Sequence, residues 1–236
     1  EAEKMIILSD IHLPFQDNEA LEVALKHAEE EEVDCILLNG DAFDFYSVSF
    51  HEKDPKMRDF AGEVEACKQF LRHLRGRFPD VRIIFKIGNH EHRFMRYMSV
   101  KAPELLGVDS FKFEKIFELE EMDIDYIGDF RLVKFQDYLV CHGMEFFGGG
   151  GAFPAKSYFQ KAKTNIISAH LHRTSFYSAQ DANRDVKRSY SSGCLCDMWP
   201  DYAPHNQWNH GFIMITKIKK DKSRVNSYVI EDGEII

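Results

Sequence analysis

The chain has 236 residues, with 30 basic and 39 acidic side chains, a formal net charge of -9 and 44% hydrophobic content. That length suits one domain with a sizeable core, and the acidic balance excludes a broad electrostatic footprint on duplex DNA. It leaves room for nucleic acid at a small site, where bound cations invert the local charge.

Five scattered cysteines are too few for a disulfide framework. No apolar run reaches the ~18 residues a membrane helix needs, and no secretory leader opens the chain. The expectation is a reduced, cytoplasmic protein with no membrane partner.

Residues 5–8 read as a short buried strand ending at Ser9-Asp10. Helical spacing follows over 18–32, with Leu21, Leu25 and Ala28 on one face and Asn18 as the N-cap. A second buried strand, 33–38, ends at Asn39-Gly40-Asp41. A second helix over 55–77 places Phe60, Val64, Cys67 and Leu71 on one face, and a third strand, 81–87, ends at Gly88-Asn89. Strands alternating with helices, without hairpin signals, predict parallel βαβ units.

The second half changes character. Residues 130–135 and 138–142 flank Gln136-Asp137 as a hairpin, and 166–168, 174–178, 186–191, 212–218 and 224–230 read as further short strands. Parallel strands first, antiparallel strands afterwards and helices outside make a mixed α/β architecture. The glycine run 148–151 is a loop rather than a phosphate cradle, because no strand–helix context with Lys-Ser/Thr follows. A lid or insert is expected over 143–160, with Phe146, Phe147 and Phe153 as candidates for stacking a base.

The chemistry lies in where Asp, Asn and His fall. Asp10 and His12 follow the first strand two apart, so an extended backbone points both the same way. Asp41 and Asp44 follow the second strand, Asn89, His90 and Glu91 the third, His142 a fourth, and His170 with His172 a fifth. Parallel strands deliver such residues to one sheet edge. Carboxylates, imidazoles and an amide without thiolates suit Mn²⁺, Fe or Zn²⁺ better than Ca²⁺. Seven donors suit two ions, ~3.5–4 Å apart, better than one.

Taken together, Asp10-Ile11-His12, Gly40-Asp41-Ala42-Phe43-Asp44, Gly88-Asn89-His90-Glu91, His142-Gly143 and His170-Leu171-His172 resemble the calcineurin-like metallophosphoesterase superfamily. The motifs run in the family's order. The resemblance implies two mixed β-sheets packed as an αββα sandwich, and hydrolysis of phosphate esters by metal-activated water. It implies that Asp10, His12 and His172 hold one divalent ion, that Asp41 bridges, and that Asn89, His142 and His170 complete the second. Mn²⁺ leads, with Fe, Zn²⁺, Mg²⁺ and Ni²⁺ as alternatives. His90 would sit with Asn89 beside the substrate phosphate, as general acid toward the leaving oxygen or as a charge stabiliser, oriented by Asp44. Ala169 stands where the family's last motif usually has Gly.

Lesser readings accompany these. Glu91 reads as a structural hydrogen-bonder, Arg93 and Arg96 either as contacts to the substrate phosphate or equally as an exposed helix face, His205 and His210 as candidates for lining the pocket, and Cys194 with Cys196 as buried small residues.

The protein-phosphatase branch usually ends the second motif with Asp-Arg-Gly. Here Phe45-Tyr46 follows Asp44, a pattern more similar to DNA-repair nucleases. The reading is a Mn²⁺-dependent nuclease or phosphodiesterase acting on DNA ends or short single strands, with accompanying phosphatase activity. The alternatives are a phosphomonoesterase without nuclease activity and a metal-binding interaction module without catalysis. Retention of His90 and Asp44 speaks against the latter.

Overall fold

The computed structural model describes residues 2–49, 59–146, 151–200 and 203–236. A seven-stranded sheet contains β1 (Lys4–Leu8), β2 (Cys35–Asn39), β3 (Arg82–Lys86), β4 (Ile124–Ile127), β10 (His210–Lys219), β11 (Lys222–Glu231) and β12 (Glu234–Ile235). Their order is β12-β11-β10-β1-β2-β3-β4. The four N-terminal strands pair in parallel, and β10 joins β1 antiparallel. A five-stranded sheet has the order β5-β6-β7-β9-β8, from β5 (Val133–Phe135), β6 (Tyr138–Val140), β7 (Ile166–Ser168), β8 (Ser175–Gln180) and β9 (Val186–Ser191).

Continuous apolar runs in β1 to β3 follow from burial on both faces. Met5, Ile7, Cys35, Leu37 and Ile84 face the second sheet and pack on Phe135, Tyr138, Val140 and Ile167. Ile6, Leu8, Ile36, Leu38 and Phe85 face the opposite way, into a core with Leu21, Leu25, Cys67, Leu71 and Leu74. These come from α1 (Asn18–Glu30) and α2 (Phe60–Arg77). On the far side, α5 (Pro154–Ala162) buries Tyr158 beside Cys141 and Ile166. The layers are therefore αββα.

Three expectations need correction. The cap of α1 is Asp17, whose carboxylate accepts from the Ala20 amide at 2.9 Å, because the chain turns one residue before Asn18. The second helix is described from Phe60, capped by Asp59, with 55–58 outside the described residues. The second sheet is also not antiparallel throughout. Passage through α5 is a crossover that makes β6 and β7 parallel, and the β8–β9 hairpin sets β9 parallel to β7.

Among the elements absent from the sequence reading, two build the core beside β3. β4 adds to β3 in parallel, and α4 (Phe113–Ile116) brings Phe113 into an aromatic cluster with Phe43, Phe45, Phe85 and Tyr126. Of the expected lid, 147–150 lie outside the described residues, Phe147 among them. Phe153 is 69% exposed, whereas Phe146 packs on Tyr158.

Candidate active site

The residues that follow β1, β2, β3, β6 and β7 converge, but not by simple extension. Asp10 and His12 have φ of 54° and 52°, Asp41 has 51°, and His170 and His172 have 70° and 55°. The expectation of an extended backbone at Asp10 and His12 is thus overturned: these positions, like His170 and His172, are left-handed kinks. Asp and His tolerate that region better than most residues, and such strain persists only where surrounding contacts over-determine it. Ala169, where the family usually has Gly, needs no positive φ. It is buried, and its amide donates to the His142 carbonyl at 2.8 Å.

Each central carboxylate divides its work. Asp41 Oδ1 accepts from the His90 amide at 2.9 Å, while Oδ2 lies 3.2 Å from His142 Nε2 and 3.9 Å from both His12 Nε2 and His90 Nε2. Asp10 Oδ2 accepts from the His170 amide at 3.0 Å. Its Oδ1 lies 3.2 Å from His172 Nε2, yet off hydrogen-bond geometry and buried without a partner. Backbone amides thus fix one oxygen of each pair and aim the other inward.

The imidazoles and the amide close around these oxygens. His12 Nε2 and His172 Nε2 stand 3.2 Å apart, and Asn89 Oδ1 is 3.1 Å from His142 Nε2. Donor atoms of Asp41, His142 and His170 lie within 4.8 Å of one another, as do those of His12, Asp41 and His90. All seven residues expected as ligands are brought together.

The electrostatics fit cations. Burial opposes charge at His142, but Asp41 and Asp10 outweigh it and push the ring up to about 9. The same contest at His172, won by Asp10, pushes it up to about 10. At His12, burial and the neighbouring His90 prevail and lower it, and burial with His142 does the same at His170. Burial works against ionisation of Asp41, yet His142 and His90 hold it well below the carboxylate range. Asp10 Oδ1 and His170 Nδ1 are buried without a hydrogen bond, and two ring nitrogens face each other, an arrangement that a shared cation would satisfy. Divalent ions fit this donor set.

His90 sits at the rim, half-buried, at the start of α3 (Asn89–Lys101). Its Nδ1 lies 2.8 Å from the Asp44 carbonyl and 3.1 Å from Asp44 Oδ1. Burial disfavours the charged ring, but Asp41 and Asp44 outweigh it and raise His90 above its ordinary value. Arg93 Nη2 approaches His90 Nε2 at 3.2 Å. Glu91 is structural: it accepts from the amides of Asp41, Phe43 and Gly88 at 3.0, 2.9 and 2.7 Å. Burial, with the charge of Asp41, pushes it up to about 7.

A sequence profile of the calcineurin-like phosphoesterases matches residues 4–202. The chain belongs to the calcineurin-like phosphoesterase family. It is 26% identical over 234 residues to the Gene 54 protein of Mycobacterium phage L5, covering 91% of this chain and 89% of that one. A similarly named protein of Mycobacterium phage D29 is 26% identical over 184 residues, covering 73% of this chain and 70% of that one. Among solved structures, vacuolar protein sorting 29 from Cryptosporidium parvum superposes with a TM-score of 0.53 at 11% identity. The match covers 100% of this chain and 95% of that one, a likeness of fold.

Family membership makes this phosphoesterase a metal-dependent hydrolase of phosphate esters, and the family is dinuclear. No helix among the described residues is long and apolar enough to cross a membrane.

Several residues at the phosphoesterase's site carried no signal in the sequence. Asn39 and Glu145 hold His142, and Lys86 pairs with Glu145. Trp208 packs its ring 4.1 Å from that of His172. Cys196 does more than fill space, since its Sγ lies 3.8 Å from His172 Nδ1. His210 braces the Cys196 carbonyl at 2.9 Å, and His205 is exposed, so the two histidines have separate surroundings. A Cys two residues from another reads as zinc-like or inert. Only the fold reveals which imidazole it meets.

Proposed function

We propose that this chain is a Mn²⁺-dependent phosphodiesterase or nuclease that acts on DNA ends or short single strands, with accompanying phosphomonoesterase activity. The division of labour within Asp10 and Asp41 carries the hydrolytic part. Two buried carboxylates each present one free oxygen to a ring of imidazoles, the donor set for two divalent cations. Asp10, His12 and His172 would hold one ion, Asn89, His142 and His170 the other, and Asp41 both. When bound, such ions supply an acidified water and neutralise the phosphate in an in-line displacement.

The chain's own residues then do the rest. Asn89 and Arg93 orient a phosphate oxygen, and His90 Nε2 gives its proton to the departing oxygen as the P–O bond breaks. Asp44 holds Nδ1 and keeps the ring upright. Arg93, now facing Nε2, yields that position to substrate.

The diester preference rests on the residue after Asp44. Phe45 is fully buried in the aromatic cluster, so that position offers no guanidinium for a phosphomonoester dianion. An intracellular, reducing setting fits five buried free thiols. A single domain completes the reading, with the Pro154–Ala162 helix, part of the expected lid, packed as its outer layer.

Turnover of p-nitrophenyl phosphate, bis-p-nitrophenyl phosphate and labelled single- and double-stranded DNA, with Mn²⁺, Mg²⁺ or Zn²⁺, tests it. Hydrolysis of monoester alone would favour the phosphomonoesterase, and no hydrolysis with metal bound would favour an interaction module.

A further inference from the structure

Lys86, at the end of β3, is 0% exposed in its side chain, and Nζ lies 2.5 Å from Oε1 of Glu145, itself 5% exposed. A buried ion pair is an unrewarding way to stabilise a core, because removing two charges from water consumes most of their attraction. Its position suggests another use. Glu145 Oε1 also accepts from the His142 amide at 3.0 Å, and Oε2 from the Gly143 amide at 2.7 Å.

Asn39 acts from the neighbouring strand, where it is the register partner of Lys86. Its Nδ2 donates to the Cys141 carbonyl at 2.8 Å, and its own carbonyl receives His142 Nδ1–H at 2.9 Å. Residues 141–143 of one sheet are therefore gripped by the strand ends of the other. The carbonyl contact holds the His142 proton on Nδ1 and turns Nε2 toward Asn89 Oδ1 at 3.1 Å and Asp41 Oδ2 at 3.2 Å. Asn89 lies three residues beyond Lys86, at the start of α3. The pair thus ties the segment bearing Asn89 to the one bearing His142.

We propose that Lys86, Glu145 and Asn39 form an inter-sheet latch that positions His142 against Asn89 and so builds the second-ion half of the centre. This rests on the dinuclear reading above. The three are positioning residues, without contact to substrate.

The test pairs calorimetric Mn²⁺ titration with NMR of the histidine rings in metal-free protein, on wild type, Glu145→Asp, Glu145→Gln and Lys86→Met/Glu145→Gln. Glu145→Asp keeps the charge but withdraws it from the two amides, and the double variant leaves no unpaired buried charge, so each keeps the fold where Glu145→Gln strands Lys86. The expected result is wild-type affinity for the first ion and ~10–100-fold weaker binding of the second in every folded variant. The hydrogen-bonded His142 Nδ1–H signal should also be lost or broadened without any metal. Variants that bind two ions as wild type does, with an unchanged His142 signal, would overturn the latch alone. Wild type that binds fewer than two ions would overturn the dinuclear reading and the second-ion role with it, while the metal-free signal still reports on the contact. Weakening of both ions in step with a fall in melting temperature would show mere structural damage and also overturn it.

Discussion

Asp44 grips His90 twice, with its backbone carbonyl at 2.8 Å and its carboxylate at 3.1 Å from the same Nδ1. One residue thereby fixes the ring's tautomer, its orientation and its charge, which is what a proton donor to a leaving oxygen requires. His90→Ala should keep the metal content of wild type and lose ~10²-fold or more in turnover of esters with poor leaving groups. Metal analysis beside steady-state kinetics checks this. Metal lost together with activity would make His90 a ligand instead.

Arg93 gives a pH dependence whose sign can be worked out. At His90, burial lowers the pKa, Asp41 and Asp44 raise it and prevail, and the Arg93 charge opposes them. Removing that charge raises the ring further, so its protonated form persists to higher pH. Arg93→Gln should therefore move the alkaline limb of the kcat/KM profile upward while raising KM for phosphate esters. A limb that stays in place or moves down would count against His90 as the acid.

Asp41 lies within reach of both halves of the cluster, with Oδ2 near His142, His12 and His90. Asp41→Asn should weaken both ions together in a calorimetric titration. Two ions bound with normal affinity would remove the bridging role.

Metal should also stabilise the fold. At 100 times its dissociation constant, one ion adds about 2.7 kcal/mol, which for a chain of this size is about 5–10 °C in melting temperature. His142 and His172, pushed up to about 9 and 10 without metal, must give up protons on binding. The Mn²⁺-induced shift should therefore shrink as pH falls. Scanning calorimetry with Mn²⁺ and with chelator, at two pH values, measures both effects, and a melting temperature indifferent to metal would contradict them.

Gly40 offers a steric test. Its φ is +84°, and a Cβ there would stand 2.6 Å from the His142 ring and 2.9 Å from the Gly88 backbone. Gly40→Ala should cost about 1–3 kcal/mol from backbone strain alone, and should displace His142 and weaken metal binding. Wild-type stability and affinity in urea and metal titrations would show that the close packing is dispensable.

Legibility in the sequence was uneven for physical reasons. The strands ending at Asp10, Asp41 and Asn89 declared themselves because burial on both faces makes unbroken apolar runs, and polar residues then stand out at their ends. Convergence of the ligand set followed from parallel topology. The route to it did not: left-handed kinks at Asp10, His12, His170 and His172 depend on contacts made across the fold. β4 and α4 escaped because Ile124–Ile127 is too short to show a period, and Phe113 is held by aromatic partners distant in the chain. Lys86 and Glu145 read as ordinary strand and loop residues, since a charge pair between two sheets has no spacing to announce it.

The most direct measurement is an anomalous difference map from crystals grown with Mn²⁺. Two peaks ~3.5–4 Å apart are predicted, both touching Asp41, one beside Asp10, His12 and His172 and the other beside Asn89, His142 and His170. A map with no peak among these side chains, from protein that still hydrolyses phosphate esters in Mn²⁺, would contradict the dinuclear centre.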